Sequence, residues 1–343
     1  MKVDVEAPFE TDEGALVEPW KAQFDCAQSL PCLAARHHAL FLDSARRHPL
    51  LGRYSFLTAD PFSYFEAPAT AADPLGELQR RVAPFRAQTI PGLPPFQGGA
   101  AGLLNYDLGR SLEKLPPPRI DEFQTPALAI GLYDVVLAID HLDDRAWLIS
   151  QGFPELEPRA RRRRAAERLA EFRSWLSAGP PPRAAPINEL ALPAEDLAPQ
   201  VAVPGPAGLT SNFSAQQYLA VVARAIEYIH AGDVFQVNIA QRLLYPAHDG
   251  GVQLYLRLRE RNPATFAGYF DLGMTQIMSA SPERFLKVMH GQVEARPIKG
   301  TRSRTARPEA DLFAGDELLA NEKDRAENVM IVDLLRNDLS RVC

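Results

Sequence analysis

Arg296-Pro297-Ile298-Lys299-Gly300-Thr301-Arg302 sets one lysine between an apolar residue and a glycine, with an arginine at either end. A free lysine amine is protonated near neutral pH and attacks nothing. Burial or nearby positive charge disfavours the ammonium form, and Arg296 and Arg302 are the candidates for that charge. Read blandly, the same string is a surface turn. Glu283 precedes it in Ser279-Ala-Ser-Pro-Glu-Arg284. A carboxyl group near an amine nucleophile suits covalent catalysis, with the acid protonating a departing hydroxyl. The competing reading of Glu283 is an ion pair with Arg284 or another arginine.

Two further segments surround this pair. Gln236 lies in Gly232-Asp-Val-Phe-Gln-Val-Asn-Ile-Ala-Gln-Arg242, within an expected strand from 233 to 245, and faces either a pocket or solvent. Glu327 opens Glu327-Asn-Val-Met-Ile-Val-Asp-Leu-Leu-Arg-Asn-Asp338, inside an expected helix from 322 to 339. Helical spacing places Glu327 in line with Ile331, Leu334 and Leu335, on an inward stripe. A carboxylate there is either paired or a metal ligand, and its hard oxygens suit Mg²⁺.

The remainder reads as alternating strands and helices. Strands are expected at 38–43 and 54–58, and a buried strand at 98–107. A hairpin is expected from 132–140 and 145–151, and successive strands over 264–293. Helices are expected at 75–87, 156–176 and 252–261. Another begins at Ser214, where Ser214 and Gln217 form a capping box, and stops at Gly232. The arginine run 159–164 is expected on a solvated helix face. Residues 178–208 are rich in Pro and Ala and mark a linker between an amino-terminal domain, 1–177, and a second domain, 209–343.

The chain has 343 residues, 46% hydrophobic, with a net charge of −6, enough for a large core and contrary to the basic excess of nucleic-acid binders. Cys26, Cys32 and Cys343 show no metal-binding spacing and read as reduced cytoplasmic thiols. The acidic amino terminus lacks the apolar core of a signal peptide, and no apolar run is long enough to span a membrane.

In order, GDVFQVNIAQR, SASPERF, PIKGTRSR and ENVMIVDLLRNDLSRV resemble the chorismate-utilising enzymes, the family of anthranilate synthase component I, aminodeoxychorismate synthase component I and the isochorismate synthases. GRYSFL and FQGGAAGLLNYD resemble the amino-terminal region of the anthranilate and aminodeoxychorismate branch. Anthranilate synthases carry alanine at the position of Lys299, whereas PIKGT is typical of the aminodeoxychorismate branch. Isochorismate and salicylate synthases carry a lysine base at the position of Gln236. The resemblance therefore implies the aminodeoxychorismate branch, with anthranilate synthase as the alternative and a non-catalytic binding fragment as a further one.

That resemblance implies an α+β fold, an α/β sandwich of two β-sheets packed together with helices outside. It implies Lys299 and Glu283 as catalytic residues, Gln236, Gly300 and Thr301 at the substrate, and Mg²⁺ on Glu327. Chorismate is the implied substrate. None of the cysteines has a glutaminase-like context, so a separate glutamine amidotransferase subunit is the implied source of ammonia. Some members hold tryptophan in the amino-terminal region, at the places of Ser44, Leu51, Gly52, Arg53, Tyr54, Thr265, Phe266 and Ala267. Packing between domain halves is the alternative for these, and Thr265 stands where members often have proline. In the family the catalytic domain continues past the position of Cys343. The expectation is an incomplete catalytic domain, inactive on its own.

Overall fold

The computed structural model describes residues 7–20, 26–180, 192–299 and 320–343. Gly300 and Thr301 lie outside the described residues.

The frame is an eight-stranded antiparallel sheet. Its strands run β1 (Phe9–Glu10), β2 (Leu16–Trp20), β9 (Arg145–Ser150), β8 (Val135–Asp140), β4 (Tyr54–Thr58), β3 (Leu40–Asp43), β13 (Phe266–Asp271) and β14 (Gln276–Ser281). Two of them lie beyond the Pro/Ala-rich stretch: Ala267 of β13 stands opposite Asp43 of β3. Strand alternation gives the sheet two apolar faces. Along β8, Val135 and Leu137 face one cluster with Phe41, Leu57 and Leu148, while Val136 and Ala138 face another with Val17, Trp147 and Ile149.

The first face is covered by α1 (Cys26–Leu33) and α3 (Pro158–Ser177), through Leu30, Leu33, Phe172 and Trp175, and by Tyr255 of α5 (Gly251–Arg261). On the other side lies a three-stranded sheet in the order β5 (Ser63–Ala67), β7 (Leu128–Tyr133), β6 (Gly99–Leu104). Ala129 and Tyr133 of β7 meet Leu40 of β3 and Phe270 of β13 across the sandwich. The outer face of the small sheet carries α2 (Pro74–Val82), through Leu78 and Val82. The expected sandwich of two sheets with helices outside is what the chain forms.

Several local expectations need correction. The span 132–140 is two strands, because Asp134 passes the chain from the small sheet to the large one. Its buried carboxylate, held by Arg168 at 3.3 Å, fixes that crossing. The strand at 98–107 is shorter and not buried: β6 pairs only with β7 and leaves Leu104 58% exposed. Gly102 allows the approach, since a Cβ there would stand 2.1 Å from the Ala129 carbonyl oxygen. Helix α2 ends at Val82, short of the expected end at 87: Ala83 still has helical geometry, but Pro84 has no N–H to continue the ladder. The arginine run is not wholly solvated: Arg161 is buried, donates to the Gln151 carbonyl at 2.7 Å and stacks on Phe153.

The second half also holds α4 (Ala215–Ala231) and α6 (Glu322–Ser340). The Ser214–Gln217 capping box forms at the start of α4, and Gly232 closes it at φ 79°. A third sheet joins β10 (Val201–Ala202), β11 (Thr210–Ser211) and β12 (Leu243–Leu244). Of the expected strand 233–245 only β12 forms; from 233 to 242 no described strand pairs with it, and unpaired extended backbone is not a strand. A hairpin of β15 (Lys287–Met289) and β16 (Gln292–Glu294) follows β14.

Candidate active site

Strands β13 and β14 carry the chemistry out of the core. At the end of β14, Ser281 turns the chain: its hydroxyl donates to the Glu283 carbonyl at 2.9 Å and accepts from the Glu283 N–H at 3.3 Å. The β15–β16 hairpin then brings the chain back, so that residues 295–299, which form no regular element, return beside this turn. Glu283 Oε1 accepts from the Ile298 N–H at 3.2 Å. The carboxylate therefore sits one residue from Lys299, which is half-buried. The segments carrying the residues read as acid and nucleophile meet here, although the chain between them is a whole hairpin long.

Glu283 does not pair with Arg284. That guanidinium turns to Glu294 and lies over the Phe266 ring, 5.5 Å from its centroid. Arg296 meets the other oxygen of Glu294 at 2.9 Å. The Arg296 hydrogen bond leads the influences that hold the Glu294 carboxyl below the usual glutamate range, with Arg284 and Lys287 adding to it.

The other expected site residues are less closely gathered. Gln236 is exposed and outside any strand. Glu327 is half-buried on α6, with Lys323 Nζ at 3.9 Å. The stripe proposed for it is only partly formed: Ile331 and Leu335 are half-buried, but Leu334 is exposed and no residue of α6 is buried. Among the described residues no three His, Cys, Asp or Glu side chains group so as to hold a metal. Glu327 supplies one of the several oxygen ligands that magnesium needs in near-octahedral array.

The residues expected at a tryptophan site do converge. Ser44 is buried and donates to the Tyr54 carbonyl at 2.5 Å, and Arg46 N–H reaches the Ala264 carbonyl at 2.9 Å, next to Thr265, Phe266 and Ala267. Their polar groups are already engaged. Arg53 binds Asp140 at 2.6 Å and Asp143 at 3.1 Å, and Thr265 contacts the Pro282 carbonyl at 3.4 Å. The Leu51 N–H donates to His48, and Gly52 bridges the same residue.

Behind this cluster is a network that the sequence reading did not single out. Asp43, fully buried at the end of β3, accepts from Arg259 Nε at 2.6 Å, Tyr255 at 2.9 Å and Ser55 at 3.3 Å. Ser55 in turn meets His141 Nε2 at 2.7 Å. Burial, reinforced by Arg47 and Arg259, pushes the His141 imidazole down to about 4, and burial beside Asp43 raises the Tyr255 phenol well above its ordinary value. The only sequence signal for this node was an acidic residue ending an apolar strand.

A family model described as chorismate binding enzyme matches residues 38–343. Aminodeoxychorismate synthase component 1 of Klebsiella aerogenes is 36% identical over 279 residues, 80% of this chain and 54% of that protein. Anthranilate synthase component 1 of Thermus thermophilus is 40% identical over 271 residues, 79% of this chain and 54% of that protein. The chain thus spans about half the length of these curated relatives. Among solved structures, anthranilate synthase component I from Streptococcus pneumoniae superposes with a TM-score of 0.66 at 25% identity, covering 86% of this chain and 63% of that one. The menaquinone-specific isochorismate synthase of Escherichia coli shares the fold, with a TM-score of 0.56 at 12% identity, covering 96% and 64%.

Proposed function

The chain belongs to the chorismate binding enzymes, and from that premise we propose that it serves aminodeoxychorismate synthesis, making 4-amino-4-deoxychorismate from chorismate and ammonia through a covalent bond to Lys299. The carrying observation is the convergence of Lys299 and Glu283, with the Glu283 carboxylate on the amide next to the lysine. In the proposed sequence the Lys299 amine adds at C2 of chorismate as the ring double bonds shift and the 4-hydroxyl departs with a proton from Glu283. Ammonia then adds at C4, the double bonds shift back, and the C2–N bond to Lys299 breaks. Two displacements replace one difficult substitution, and each needs the nucleophile held close to the ring. Gln236, Gly300 and Thr301 are proposed to line the substrate. Glu327 is the carboxylate proposed for magnesium. The described residues do not complete that site.

Ammonia is proposed to come from a glutamine amidotransferase partner, in keeping with relatives named as component 1. Tryptophan is proposed to dock where Ser44, Leu51–Tyr54 and Thr265–Ala267 meet, and titration calorimetry with tryptophan tests it. Among the described residues no helix is long and apolar enough to cross a membrane.

Incubation with chorismate, Mg²⁺ and ammonium tests the reaction, with products read by mass spectrometry. 4-Amino-4-deoxychorismate and an adduct on the peptide carrying Lys299 would support this reaction and overturn the expectation that the chain is inactive on its own. Lys299→Ala should lower turnover by ~10³-fold or more, at least ~4 kcal/mol of barrier. Anthranilate and pyruvate without an adduct would instead support anthranilate synthesis, the reading favoured by the 40% identity to the Thermus enzyme. Absence of any turnover is the outcome expected of a catalytic domain that is inactive on its own.

A further inference from the structure

We infer that Glu294 is a positioning residue, a carboxylate staple that holds the Glu283 turn and the Lys299 segment in one register. The inference rests on the reading of Lys299 and Glu283 as the reacting pair. These residues lie on opposite sides of the β15–β16 hairpin, and among the described residues the direct bond between their segments is Ile298 N–H to Glu283, 3.2 Å long and exposed to solvent. One such bond contributes little on its own, since water competes for both partners. Glu294 adds a second tie in parallel. One oxygen takes Arg284, the residue after Glu283; the other takes Arg296 at 2.9 Å, three residues before Lys299.

The staple is anchored at its base. Arg284 lies over Phe266, the first residue of β13, and β13 is paired to β3 in the main sheet. Glu294 itself is fixed by the hairpin, standing opposite Lys287 in the β15–β16 register. Position therefore passes from the large sheet through Phe266, Arg284, Glu294 and Arg296 to the backbone beside Lys299. An isolated surface ion pair is worth little to global stability, and this one need not be worth more. Its effect is on the distance between two groups that must act on one ring, where a displacement of about 1 Å costs on the order of a hundredfold in rate.

The test is Glu294→Gln, which keeps the shape and removes the charge, with Arg296→Gln breaking the same tie from its other end. Amide exchange at Ile298 should rise about tenfold in both variants while exchange in β8 is unchanged, as expected for a local opening. In chorismate turnover kcat should fall about tenfold or more with KM little changed, the signature of lost alignment rather than lost binding. Unchanged exchange at Ile298 in both variants overturns the staple whatever the protein does with chorismate. Raised exchange with unchanged kcat overturns its positioning role. Exchange at Ile298 does not depend on turnover, so it tests the staple even in a chain that makes no product.

Discussion

Asp43 is buried to the last atom of its side chain, and Arg259, Tyr255 and Ser55 all donate to it. Removing one partner strands the charge, so Arg259→Ala should destabilise by about 3 kcal/mol in urea denaturation, and adding Asp43→Asn should recover part of that loss. His141 reports on the same node. Its imidazole titrates at about 4 in the fold and near 6.5 when unfolded. Between those values the unfolded chain holds a proton that the folded chain lacks. Its contribution is therefore complete above about pH 6.5, falls as the pH drops towards 4, and levels off below. His141→Asn should flatten the pH dependence of Tm in that window relative to wild type. Equal slopes for the two proteins would remove His141 from the account. None of this was legible beforehand. An aspartate closing an apolar strand looks the same in sequence whether it is solvated or pinned by a helix more than 200 positions away, whereas Lys299 and Glu283 announced themselves through their neighbours.

Elements followed their local signals where partners were adjacent. The α4 capping box and the β8–β9 hairpin needed only neighbouring residues, and both formed as read. The misreadings involve partners distant in sequence. Residues 132–140 are apolar apart from Asp134 and Asp140 because β7 and β8 are each covered on both faces, and such a run hides the crossing at Asp134. Strand β6 looked buried because it is apolar and glycine-rich, yet its glycines serve a close approach to β7. Gly102→Ala would drive a Cβ to within 2.1 Å of the Ala129 carbonyl oxygen. The expected cost is about 2 kcal/mol or more, with faster amide exchange along β7. An alanine variant as stable as wild type would mean that β6 is free to shift away from β7.

At the scale of the molecule, burial is uneven. The core runs through β1–β9, α1–α3, α5, β13 and β14, but neither α4 nor α6 buries a single residue. Leu219, Ile226 and Ile229 of α4 and Val329 of α6 stand 66%, 48%, 42% and 68% exposed. A helix draws most of its stability from packing an apolar face, so these two should open at far lower free energy than the sheet. The tryptophans separate the two regions. All three, Trp20, Trp147 and Trp175, precede the Pro/Ala-rich stretch, with Trp147 and Trp175 buried in the clusters of the large sheet. Their fluorescence therefore follows the sandwich, while far-UV circular dichroism sums all the helices. In urea the dichroic change should begin at lower denaturant than the fluorescence change, a departure from two-state behaviour. Amides of α4 and α6 should exchange before those of β8 and β9. Coincident transitions would mean that both helices are locked to the core through contacts stronger than their exposure implies. Strands β13 and β14 belong to the protected group, so Glu283 sits at the boundary between the two regions, and the Lys299 segment is tied to that boundary through it.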